Sequence, residues 1–66
     1  MNYSMIEVMK VAQGLPDEDR RVLRVADLEL VEVGLRNGGI RRGSIASHLI
    51  RLARSRRGEV NNEHTD

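Results

Sequence analysis

Apolar residues recur along this chain at helical spacing, in blocks separated by glycine or proline. Met5, Val8, Met9 and Ala12 fall at i, i+3, i+4 and i+7, with Ile6 and Val11 widening the arc. That spacing predicts an amphipathic helix over 4–13, and Ser4 with Glu7 three residues on has the form of a capping box. Gly14-Leu15-Pro16 ends it. Pro16 suits the opening of a next helix, and Asp17, Glu18 and Asp19 stand where the helix dipole favours negative charge. Over 17–36, Leu23, Ala26, Leu30 and Val33 keep one helical stripe, while Val22, Val25, Leu28, Val31 and Leu35 occupy other sides. A helix apolar on several sides is buried on several sides or broken in two, and the break is expected near Asp27. Leu28–Val33 also has some strand alternation, which fails where Leu30 and Val31 are adjacent.

Arg36-Asn37-Gly38-Gly39 is a turn signal. A last helix is expected from Ser44 to about Arg56, capped by Ser44 or Gly43. Ile45, Leu49 and Leu52 form its anchoring stripe, with Ala46, Ile50 and Ala53 as a second apolar line that is more core or a dimer seam. Gly58 is expected to stop it. The reading is all-α, three to four helices in one domain over 1–57, with a disordered acidic tail over 58–66.

The size bounds the function. Sixty-six residues without Cys, Phe or Trp bury only about 60% of the surface the unfolded chain exposes, so a second copy would add needed burial. No disulfide, thiolate zinc site or cysteine nucleophile is available. The acidic triplet lacks a following glycine-rich loop and reads as a helix N-terminus rather than a metal site. His64 with Glu63 and Asp66 would bind a metal only weakly. No glycine loop follows a strand, and a catalytic pocket is hard to build at this length. Neither an enzyme nor a cofactor is expected. No apolar run reaches the ~18–20 residues of a membrane span, and Glu7 and Lys10 interrupt the N-terminal pattern, so a cytoplasmic protein without a small-molecule substrate is expected.

Charge sharpens the picture. The formal net charge of +1 conceals a net −3 over residues 1–35, +7 over 36–57 and −3 over 58–66. The middle block holds Arg36, Arg41, Arg42, Arg51, Arg54, Arg56 and Arg57 and no acid. Such a block is the footprint of a polyanion partner or an acidic protein surface, and arginine suits bidentate contact with phosphate or guanine.

Two segments resemble a known family. Leu15-Pro16-Asp17-Glu18-Asp19-Arg20-Arg21-Val22-Leu23 resembles the start of the C-terminal, promoter-reading helix-turn-helix domain of bacterial sigma factors. Gly39-Ile40-Arg41-Arg42-Gly43-Ser44-Ile45-Ala46-Ser47-His48-Leu49 resembles the turn and recognition helix of those domains, and of LuxR-type and TetR-type regulators. The likeness spans roughly residues 15–56. It departs at Val33-Gly34, where the family carries Ile-Ala, at Arg41, where it prefers a Ser or Thr cap, and in a turn one residue longer. The resemblance implies a helix-turn-helix fold in which Arg42, Ser44, Ser47, His48 and Arg51 face the groove, with Ile40, Ile45, Leu49 and Leu52 anchoring the helix.

The expected function is a small sequence-specific DNA-binding transcriptional regulator that reads the major groove of double-stranded DNA with helix 44–56. Arg36, Arg41, Arg42, Arg56 and Arg57 would contact phosphates, and Ser47, His48, Arg51 and Arg54 would reach base edges. A homodimer, or a larger partner such as RNA polymerase, would supply the remaining affinity. The competing expectation is a helical inhibitor or adaptor, of the kind phages or plasmids encode, whose basic helix docks on a host protein.

Overall fold

A computed structural model describes residues 3–63, with side chains for 4–59. Four helices follow one another: α1 over Tyr3–Gln13, α2 over Asp17–Val22, α3 over Val25–Arg36 and α4 over Ile45–Glu63, the last entered through a 3-10 turn at Arg42–Ser44. There is no strand among the described residues, so Leu28–Val33 is helix. The fold class is all-α.

The core is aliphatic. Val8 and Ala12 of α1, Leu15 of the first connection, Val31 of α3, and Ile45, Leu49 and Ala53 of α4 are buried. Val11, Leu23, Leu28, Leu35, Ile40, Ile50 and Leu52 pack around them, half-buried. Helix α4 lies against α1, α2 and α3, and α1 against α3. Its buried line runs Ile45, Leu49, Ala53, with Leu52 alongside, so Ala53 belongs to the core and Ala46, from the same expected second line, is exposed.

Three local expectations change. Ser4 lies inside α1 rather than capping it. The break within 17–36 falls at Leu23-Arg24, ahead of Asp27. There Leu23 turns extended at ψ 138° and ends α2, and the Arg24 backbone N–H donates to Asp27 Oδ2 at 2.8 Å to start α3. Of the apolar sides that the spacing left open on α3, Leu28, Val31 and Leu35 turn inward, whereas Ala26, Leu30 and Val33 face solvent. Finally, Gly58 does not stop α4, which continues to Glu63. A single glycine costs a helix only about 1 kcal/mol. Of the tail expected to be disordered, residues 64–66, and with them His64, lie outside the described residues.

The turn into α4 is built by glycines. Gly38 has φ +76°, a conformation that disfavours any Cβ. Gly39 N–H donates to Gly34 O at 2.8 Å and Gly38 N–H to Leu35 O at 3.2 Å, the paired bonds of a Schellman ending. A Cβ on Gly34 would meet Ile40 Cδ1 at 2.5 Å, so the bare glycine backbone is what lets Ile40 fold back onto α3. Residues 37–41 and the 3-10 turn therefore separate α3 from α4, a longer connection than the three or four residues of a tight helix-turn-helix.

Candidate nucleic-acid interface

Helical geometry sorts the residues of α4 into two faces. Opposite the buried line, Ser47, Ile50, Arg51 and Arg54 fall at i, i+3, i+4 and i+7 and line one open depression of about 350 Å³. Ser47, Arg51 and Arg54 are exposed and Ile50 is half-buried. His48 is half-buried on the flank, and Ser44, also half-buried, closes the 3-10 turn through its N–H to Arg41 O at 2.9 Å. Arg41 and Arg42 stand exposed before the helix.

The arginines divide into two groups. Arg56 sits seven residues after Leu49, in the middle of the face that α4 turns to the protein. Its Nε donates to both oxygens of Asp27 at 3.1 and 3.2 Å, its Nη2 to Oδ1 at 2.7 Å, and its Nη1 to Glu59 at 2.9 Å. Asp27 is 2% exposed. The Arg56 hydrogen bonds hold its carboxyl below the usual aspartate range despite burial, which pushes the other way, and Asp27 followed by Glu59 raises the Arg56 guanidinium further. Arg57 pairs with buried Asp19 of α2. Arg36 pairs with Glu32 one turn back at 2.6 Å, and Arg42 with Glu7 of α1 at 3.3 Å. Every buried side-chain nitrogen or oxygen among the described residues has a partner.

The opposed charges of the two halves of the chain are thus joined inside the fold. Arg56 and Arg57, expected on phosphate, are engaged with carboxylates of α2 and α3, which they clamp to α4. Arg41, Arg51 and Arg54 make no ion pair among the described residues. Arg42, whose side chain is 76% exposed, keeps most of its guanidinium open to solvent. The open set is therefore Arg41, Arg42, Ser47, Arg51 and Arg54, with His48 on its flank, while Arg36 stays with Glu32 on α3. Ile50, read as core or seam, joins it, and its place in the Ser47, Arg51, Arg54 stripe was legible from the spacing.

A second depression of about 260 Å³ lies between α1 and the start of α3, lined mainly by Met9, Leu23, Val25 and Leu28 with Arg20 and Arg24 at its edge. Among the described residues no three His, Cys, Asp or Glu side chains converge as a metal site, and no helix is long and apolar enough to cross a membrane. Comparison with family models, curated proteins and solved structures finds no match for this chain.

Proposed function

We propose that this protein is a small DNA-binding regulator that lays α4 in the major groove of double-stranded DNA. One observation carries the reading. In a chain whose other arginines of the basic block mostly hold its own carboxylates, Arg51 and Arg54 share an open stripe with Ser47 and Ile50 and have no ion partner among the described residues. A helix is about 10–12 Å across with its side chains and enters a groove about 12 Å wide. In that groove Arg51 and Arg54 would take guanine O6 and N7, Ser47 either donor or acceptor, and Ile50 a thymine methyl. Arg41 and Arg42, at the entry of the helix, would sit on phosphates.

Selection of bound fragments from a random duplex library tests the reading. Enrichment of a defined motif is expected, with Arg51→Ala relaxing preference at one or two positions by about 1–3 kcal/mol. Equal retention of target and random duplex by the Arg51→Ala and unsubstituted proteins would refute the assigned face.

The position of Ile50 inside the cationic stripe favours a second reading, an acidic protein surface, because apolar residues ringed by arginine also suit protein interfaces. A gel shift on mixed duplex DNA at low and moderate salt separates the two. Retention that weakens with salt favours DNA, and no retention together with one dominant partner from nuclease-treated lysate favours the protein.

A further inference from the structure

Outside the core, α3 carries three of the five exposed large hydrophobics among the described residues. Val25 is 66% exposed, Leu30 60% and Val33 42%, and exposed Ala26 completes a stripe at i, i+4 and i+7 with Leu30 and Val33. One flank of this stripe carries Glu29 and Arg36, both exposed. Glu29 makes no ion pair among the described residues. Arg36 uses Nη2 on Glu32 and keeps further donors facing outward, with its side chain 61% exposed.

We propose that this face of α3 is a self-association surface, on which α3 of a second copy packs antiparallel. The charges choose the occupant. Two antiparallel helices related by a two-fold axis bring the same flank of each to the same side, and every contact occurs twice. With Leu30 set against Val33 of the other copy, Glu29 lies about two residues, or ~3 Å along the axis, from the level of the other Arg36. Both long side chains span that offset. The result is two identical ion pairs bordering a dry stripe of Leu30, Val33 and Ala26. A parallel pair would place the Glu29 and Arg36 flanks of the two copies on opposite sides of the seam, where neither ion pair could form. The apolar surface that α3 exposes is also what a small core needs covered. The proposal stands apart from the DNA reading, since it uses α3 and not the open stripe of α4.

One helix face falls short of the ~800 Å² per partner of a standard interface, so association depends on concentration and is read by sedimentation equilibrium across a dilution series. Leu30→Asp is expected to raise the dimer dissociation constant at least about tenfold, one decade of the affinity scale, with helical circular dichroism retained because Leu30 is exposed. Glu29→Arg, which touches no core residue, should weaken association in the same direction and checks the result independently of folding. The absence of cysteine allows a direct test of orientation. Leu30→Cys lies near the two-fold axis and should cross-link to its own copy on oxidation, whereas Ala26→Cys lies too far from its counterpart to do so. A protein monomeric up to about 1 mM, an unaltered dimer in folded Leu30→Asp, or equal cross-linking at both positions would each overturn the proposal.

Discussion

Replacing Asp27 tests the clamp between α3 and α4. The carboxylate accepts three hydrogen bonds from Arg56 and one from the Arg24 N–H that begins α3. Removing one partner of a buried ion pair costs about 3–5 kcal/mol. The Arg56 side chain is 27% exposed and has Glu59 as a second acceptor, so the lower part of that range applies. Asp27→Ala, which also strips the N–H of Arg24 of its acceptor, should cost about 3–4 kcal/mol. Asp27→Asn keeps an acceptor and loses the charge, and should cost about 1.5 kcal/mol. A domain of this length is stable by about 3–10 kcal/mol, and each kcal/mol moves its midpoint by about 4–8 °C. Asp27→Ala should therefore lower the thermal midpoint by about 10 °C or more, followed by circular dichroism and checked by urea titration. Asp17→Asn breaks the exposed Asp17–Arg20 pair and serves as the control, with a change below about 0.5 kcal/mol.

Acid supplies the independent readout. Because the folded Asp27 carboxyl titrates below its unfolded value, its contribution is complete above the unfolded pKa of about 3.9 and is lost as pH falls through the folded one. The unsubstituted protein should lose stability over that acid window more steeply than Asp27→Asn. If Asp27→Asn shifts stability by less than about 0.5 kcal/mol at neutral pH and leaves the acid limb unchanged, the clamp does not hold α4 as described.

Further outcomes follow from the same structure. Gly34→Ala should destabilise by about 1 kcal/mol, because its Cβ would collide with Ile40 and overpacking exceeds the gain in helix propensity. In an Ile40→Ala background the same change should turn stabilising, and urea midpoints of the four proteins decide it. Leu49→Ala empties the centre of the core, where Leu49 is 0% exposed. It should cost about 2.7–5 kcal/mol, enough to leave much of the population unfolded by circular dichroism at 25 °C. Replacing Arg41, which has no ion partner among the described residues, by Ala should lower the salt slope of duplex binding by about 0.9, whereas Arg57→Ala should leave that slope unchanged in the folded fraction.

The apolar spacing and the glycine and proline positions were enough to point to an all-α fold, though with 28–33 open between helix and strand, and to the turn at Asn37-Gly38-Gly39, the start of the second helix after Pro16, and the anchoring of α4 through Ile45 and Leu49. These are local matters, governed by 3.6-residue periodicity, glycine conformation and chain polarity. Even the fate of Arg56 was partly legible, since it follows Leu49 by two full turns and so shares its buried side.

What lies beyond local periodicity was decided by packing. Two apolar stripes run along α3 with equal regularity, and only contact with α1 and α4 selects Leu28, Val31 and Leu35 over Ala26, Leu30 and Val33. The charge blocks pointed to an external polyanion or acidic protein surface, and within the fold Asp19 meets Arg57 and Asp27 meets Arg56 across 38 and 29 residues. Those pairings exist because helix packing brings α2 and α3 against the end of α4. By spending Arg56 and Arg57 inside the fold, the tertiary structure also decided which arginines remain for a partner.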